Sequence, residues 1–271
     1  MRVSGKTIVV TGGGNGIGRE LVLGLLSRGA RVAAIDISDA GLAETATLAG
    51  DAASRLTTHR LDITDRSAVE ALPEAVIAAH GAIDGLINCA GIIQPFVKFN
   101  DLDYSAIERV LNVNLWGVLH MTKTILPHLL KRPEAHVLNV SSMGGFVPVP
   151  GQTIYGASKA AVKLFTEGLY AECVGTSVGV TVAFPGAIAT DISKNSGVGP
   201  SREEATSAAD APKFKMTEPS EAARIMIEAI ESNAFRVTIG SDSSMMDKLA
   251  RFSPKRAADT IQKQMASLLA D

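Results

Sequence analysis

Cysteine is almost missing from this chain. Its two copies, Cys89 and Cys173, form neither a close pair nor a metal-ligand spacing, which argues against a disulfide framework and a cysteine-based zinc site. The five histidines, His59, His80, His120, His128 and His136, are scattered rather than spaced as ligands, so no metal is expected. Neither sign of charge is in excess. With 26 basic residues against 28 acidic ones there is no electrostatic footprint for nucleic acid, and small-molecule chemistry fits better. No apolar run is long enough to span a bilayer. The few residues between Met1 and the run Thr7-Ile8-Val9-Val10 are too short for a signal-peptide core, so a cytoplasmic protein is expected. No internal repeat, low-complexity tract or linker breaks the chain, and no domain boundary is drawn.

What the chain does have is apolar residues in abundance. At 271 residues and 46% hydrophobic content it can bury one large core. Short β-branched runs alternate with longer helical patterns. Strands are predicted at Thr7 to Val10, Arg31 to Ile35, Thr57 to Leu61, Gly85 to Asn88, His136 to Val140, Val178 to Phe184 and Arg236 to Ile239. Helices are predicted at Ile17 to Arg28, Ser67 to Ala79, Tyr104 to Leu130, Thr153 to Glu172 and Ser220 to Glu231. Repeated β-α-β units with right-handed crossovers make an α/β, doubly wound, seven-stranded parallel sheet with helices on both faces.

The first β-α turn reads Thr11-Gly12-Gly13-Gly14-Asn15-Gly16-Ile17-Gly18. Glycines there let backbone amides approach a pyrophosphate, and the positive end of the following helix favours its charge. Asp36 closes the second strand. In a dinucleotide site an acid there accepts from the adenosine ribose hydroxyls and repels a 2′-phosphate, although aspartate is also a good helix cap. Apolar Ile37 after it and uncharged Asn15 in the turn leave no cation for a 2′-phosphate, so NAD is expected over NADP.

Tyr155 and Lys159 stand one turn apart if Thr153 to Glu172 is helical. A phenol is a poor acid or base at neutral pH, and a fixed positive charge beside it favours the phenolate. Such a pair suits reversible proton transfer to an alcohol or ketone oxygen. Ser142, at the end of the β-rich run before it, can hold the same oxygen.

Taken together, Thr11-x-x-x-Gly16-Ile17-Gly18, Asn88-Cys89-Ala90-Gly91, Asn114, Ser142, Tyr155-x-x-x-Lys159 and Pro185-Gly186 with Thr190 match in order the motifs of the short-chain dehydrogenase/reductase family, which this chain resembles over roughly residues 5 to 240. The resemblance implies a Rossmann-type fold, a nicotinamide cofactor and a Ser-Tyr-Lys centre assisted by asparagine. By it, Tyr155 is the acid/base, Lys159 lowers the phenol pKa and binds the nicotinamide ribose, and Ser142 polarises the substrate oxygen. Asn114 would kink its helix and hold a water in a proton relay. Asn88, Ala90 and Gly91 would line the cofactor, and Asp62 with Ile63 its adenine side, with helix capping an alternative for Asp62. Pro185, Gly186, Ile188 and Thr190 would follow the sixth strand, with Thr190 on the carboxamide. Gly12 completes the cofactor set. A homodimer or homotetramer is implied. The expected activity is NAD-dependent interconversion of a secondary alcohol and a ketone; an NAD-binding regulatory or scaffold protein and a dehydratase or epimerase are the alternatives.

Two regions depart from the family pattern. Residues 193 to 216, expected to cover the substrate, carry no recognisable specificity pattern. Ile92, Ile93, Phe96, Met143, Phe146, Val147, Pro148, Val149 and Ile192 flank the presumed centre and favour an apolar substrate. After Gly240, where many relatives end, Met245, Met246, Leu249 and Phe252 recur at helical spacing, as do Ile261, Met265, Leu268 and Leu269, with Pro254 between. A helical tail over residues 241–271 is expected, its apolar faces buried on the body or a partner subunit near the substrate entrance. Surface membrane attachment is the less favoured option.

Overall fold

The computed structural model describes residues 1–199 and 216–265. Seven parallel strands lie in the order β3-β2-β1-β4-β5-β6-β7. They are β1 Thr7–Thr11, β2 Arg31–Asp36, β3 Leu56–Arg60, β4 Gly85–Asn88, β5 Ala135–Val140, β6 Val178–Pro185 and β7 Arg236–Ile239. The strand order reverses between β1 and β4, and this switch point opens a crevice at the carboxyl ends of the strands. This is a Rossmann-type sheet.

Successive side chains of a strand face opposite ways, and the two faces bury separate cores. Ile8 and Val10 of β1 join Leu21, Leu25 and Leu26 of α1 (Gly16–Ser27), together with Met226, Ile227 and Ile230 of a helix late in the chain, Pro219–Glu231. Val9 faces the other way. It packs with Val69, Leu72 and Val76 of α3 (Arg66–His80) and with Met121, Ile125 and Leu129 of α5 (Gly117–Leu129). A helix not expected from the sequence, α2 (Asp39–Leu48), buries only Leu42 and Thr45 and is started by Ser38, whose hydroxyl accepts from Gly41 N at 3.1 Å.

The long helix expected from Tyr104 to Leu130 is broken. It consists of α4 (Tyr104–Leu111), a π-turn at Asn112–Trp116, and α5. The cause is Asn114, which is fully buried and turned away from its own helix to hold both main-chain polar groups of Ile92. One π-turn is the usual way to insert such a residue without ending a helix.

Beyond α6 (Thr153–Cys173), a short α7 (Ile192–Asn195) and α8 (the Pro219–Glu231 helix), the chain after β7 forms α9 (Ser241–Phe252) and α10 (Pro254–Gln264). Met246, Ala257 and Ile261 pack on Val147, with Met143, Phe146, Val149, Leu249 and Met265 around them. The two helices therefore sit on the loop after β5. Their buried stripe differs from the expected one: Met246 is buried, but Met245 and Phe252 are exposed, Phe252 at 90%. Pro254 starts α10, which packs on the Met246 side of α9, and among the described residues nothing covers Met245 and Phe252 on the other edge. Leu268 and Leu269 lie outside the described residues, as does most of the segment from 193 to 216.

Candidate active site

The crevice holds one cavity of about 960 Å³, running from the glycine turn to Tyr155. At one end the turn is shaped by glycines at positions where a side chain would be strained or blocked. Gly12 and Gly16 have φ of +74° and +51°, in the left-handed region. A Cβ on Gly18 would run into the Gly12 carbonyl. Asn15 precedes α1 in extended conformation and its side chain makes no cap hydrogen bond, so the first amides of α1 remain for an anion.

Asp36 ends β2 against this turn. Its Oδ2 accepts from Gly14 N at 2.9 Å and its Oδ1 from Ser38 N at 2.9 Å. The cap of α2 is Ser38, so Asp36 is not a helix cap. The nearby guanidiniums are engaged: Arg19 donates to Gly14 O and to Glu44, each at 2.6 Å, and Arg60 pairs with Asp39 at 3.4 Å. Asp62 closes a turn by accepting from Thr64 N and Oγ1, while the cap of α3 is Asp65. Asp62 and Ile63 both border the cavity, as do Gly12, Asn15, Gly16, Ile17, Gly18, Asp36 and Ile37.

Across the crevice, Thr11 Oγ1 accepts from Cys89 N and Ala90 N, each at 3.1 Å, and so ties β1 to the loop after β4. Ala90 and Gly91 line the cavity. Asn88 does not. It is buried in the sheet, and its Nδ2 donates to Thr122 Oγ1 at 3.0 Å and Asn139 Oδ1 at 2.8 Å, which corrects its expected place on the cofactor wall. Cys89 faces the cavity, but burial pushes its thiol up to about 12, which disfavours the reactive thiolate.

Pro185, Gly186, Ile188 and Thr190 lie on the opposite wall. That loop is anchored from the tail: Asp242 of α9 accepts from Ala187 N at 2.7 Å, and Ser243 Oγ donates to Phe184 O at 2.8 Å. Thr190 approaches the glycine turn closely enough that a Cβ on Gly16 would lie 3.3 Å from its methyl.

At the other end stand Ser142, Tyr155 and Lys159. Lys159 is buried against Gly91, donates to Val140 O at 3.0 Å, and lies 5.9 Å from the centre of the Tyr155 ring. Burial lowers its pKa to about 8. Burial raises the pKa of the Tyr155 phenol, and a hydrogen bond with Ser142 opposes that rise. Ser142 thus supplies a downward pull on the phenol that the sequence reading assigns to Lys159 alone, while the ammonium donates to a main-chain carbonyl beside the ring. Asn114 sits behind this group rather than on the cavity wall, holding Ile92 N and O at 2.9 Å each and donating to Ser158 Oγ at 3.0 Å.

Of the apolar residues expected around the centre, Ile92, Ile93, Phe96, Met143, Val149 and Ile192 line the cavity. Phe146, Val147 and Pro148 do not. Phe146 stacks edge-on against Phe184 at 5.3 Å, Val147 is core under the tail, and Pro148 faces solvent. Residues the sequence does not single out also line it, among them Gln152, Ser193, Glu108 and Arg109, and Met265, expected only as part of the tail's apolar stripe, joins them. Only their neighbours' motifs hint at Gln152 and Ser193.

Residues 6–199 match the short chain dehydrogenase family. The Mycobacterium tuberculosis protein SadH is 36% identical over 250 residues, covering 91% of this chain and 90% of that one. The 3-oxoacyl-[acyl-carrier-protein] reductase FabG of Thermotoga maritima is 32% identical over 251 residues, covering 91% of this chain and 100% of the reductase. Among solved structures, a short chain dehydrogenase/reductase from Burkholderia phymatum in complex with NAD superposes with a TM-score of 0.84 at 26% identity, over 95% of this chain and 97% of that one. A switch-point crevice with a glycine turn at one end and a serine, tyrosine and lysine at the other is thus joined by likeness along nearly the whole chain, and the protein belongs to the short-chain dehydrogenase family of oxidoreductases.

Proposed function

We propose that this chain interconverts an apolar secondary alcohol and its ketone with NAD. The observation that carries the reading is the convergence of Ser142, Tyr155 and Lys159 on the same cavity as the glycine turn and Asp36. The residues fit a dinucleotide. The left-handed glycines and free first amides of α1 suit a pyrophosphate, Asp36 suits ribose hydroxyls, and Thr190 with Ile188 suits the carboxamide end. The bound dinucleotide supplies the hydride acceptor or donor.

Everything else falls to the chain's own groups. Ser142 donates to the substrate oxygen and orients it. In oxidation, the Tyr155 oxygen takes the alcohol proton; in reduction it returns one to the forming alkoxide. Lys159 holds a positive charge beside both the phenol and the ribose. Asn114 fixes the Ile92 loop that forms one wall. The apolar side chains Ile93, Phe96, Met143, Val149, Ile192 and Met265 exclude water and favour a hydrophobic substrate over a sugar or hydroxy acid. We read the chain as one catalytic unit whose residues 241–265 complete that wall. Exposed Trp116 and Leu164, at 53% and 68%, support a homodimer or homotetramer.

The test is a panel of 2-butanol, 2-octanol, cyclohexanol, a hydroxysteroid, lactate and sorbitol, assayed with NAD and NADP by the absorbance of the reduced nucleotide. Hydrophobic alcohols with NAD should give the highest kcat/KM. Higher values for lactate or sorbitol, or no net reduction with any alcohol, would overturn the reading.

A further inference from the structure

Helix α6, which carries Tyr155 and Lys159, begins without a cap of its own. Its first residue is Thr153, and the preceding Gln152 makes no side-chain cap hydrogen bond. The first amides of a helix need an acceptor from elsewhere. Here it comes from a residue about sixty positions earlier: Gln94 Oε1 accepts from Ile154 N at 2.8 Å and from Tyr155 N at 3.0 Å. Gln152 Nε2 in turn donates to Gln94 O at 2.7 Å. Gln94 is 1% exposed and Gln152 3% exposed, so water does not substitute for either contact. The loop carrying Gln94 is itself held from two sides: Asn114 grips Ile92, and Ser196, just after α7, accepts from Ile93 N at 3.0 Å.

We propose that Gln94 is a positioning residue for the proton transfer, seating the Tyr155 backbone and thereby fixing where the phenol meets the substrate oxygen. The inference rests on the reading of Tyr155 as the acid/base. A cap on the reacting residue itself has a direct kinetic consequence, because displacement of a catalytic group by about 1 Å can cost on the order of 10²-fold in rate. The ammonium, one turn further along the helix, has a hold of its own on Val140 O at 3.0 Å.

Three variants test it in the full-length protein: Gln94→Leu, Gln94→Glu and Tyr155→Phe. Gln94→Leu removes the acceptor. It should speed hydrogen exchange at the Ile154 and Tyr155 amides and lower kcat by roughly tenfold to a hundredfold for the best panel alcohol, while the NADH Kd stays within about twofold. Gln94→Glu keeps an acceptor and loses only Nε2, which has no partner among the described residues. It should restore slow exchange, and its carboxylate should move the phenol titration, followed by phenolate absorbance, to higher pH. With only three tyrosines in the chain, the Tyr155→Phe difference spectrum isolates that phenol. Unchanged exchange in Gln94→Leu overturns the proposal; if that variant does not fold, an unshifted phenol titration in Gln94→Glu does so. Gln94→Leu with wild-type kcat beside an inactive Tyr155→Phe overturns it while leaving the proposed function intact. An active Tyr155→Phe overturns both.

Discussion

The amide of Gly14 donates to Asp36 Oδ2 at 2.9 Å, so the carboxylate that ends β2 is held against the glycine turn. A charge fixed there cannot swing away from an incoming phosphate. Two like charges about 4 Å apart near a protein surface repel by about 4 kcal/mol before salt screens them. NAD should therefore exceed NADP in kcat/KM by at least about tenfold, and Asp36→Ala should narrow that gap. Steady-state kinetics with both nucleotides measures it, and equal efficiencies in the wild-type protein would contradict it.

The phenol and Ser142 make the second prediction. Oxidation requires the ionised phenol, so the rate should rise with pH, and reduction, which requires the neutral phenol, should fall. Burial raises this pKa and the Ser142 bond lowers it. Removing the hydroxyl in Ser142→Ala should therefore shift the rising limb of the oxidation profile to higher pH, besides lowering kcat. A limb that stays in place, or moves to lower pH, would show that Ser142 does not act on the phenol.

Met265 joins the tail to the cavity. A larger side chain there should crowd bulky substrates and spare small ones. Met265→Trp is expected to lower kcat/KM for a hydroxysteroid by roughly tenfold more than for 2-butanol, the scale of discrimination available to an apolar pocket. Its NADH Kd should be unchanged. Equal effects on both alcohols would remove the tail from the substrate site.

Stability has its own pH dependence. His136 is 1% exposed and sits 2.8 Å from Thr181 Oγ1; burial lowers its pKa to about 3. An unfolded histidine near 6.5 binds a proton that the native one refuses, so stability falls as pH drops from about 6.5 towards 3. Fully expressed, the linkage is worth roughly 5 kcal/mol. Urea midpoints at pH 7 and pH 5 should differ less in His136→Gln than in wild type. An equal difference would place the acid sensitivity elsewhere.

The strands were legible because β-branched runs buried on both faces of a parallel sheet read as continuous apolar segments, Thr7–Thr11 most clearly. The glycine turn, Asp36, Ser142, Tyr155 and Lys159 were legible because each sits at a strand end or helix start, where local sequence dictates position. Helix α2 was not, since its apolar residues do not form a stripe. Asn88 misled because a motif position does not say which way the side chain points; the neighbouring Thr122 and Asn139 draw it into the sheet. Gln94, and the place of Met265 on the cavity wall rather than only in a helical stripe, were invisible for a different reason. Their partners lie far away in sequence, at Tyr155 and Val147, and only the folded chain brings them together.

The central claim is that Tyr155 transfers the proton. The most direct measurement is kcat for the best panel alcohol with NAD in Tyr155→Phe, alongside the NADH Kd by fluorescence. Deleting the hydroxyl changes shape little and removes general acid/base catalysis, which is typically worth ~10²–10⁴-fold. The account predicts a loss of that size in kcat with NADH binding nearly unchanged. A variant that keeps a substantial fraction of the wild-type rate would contradict it.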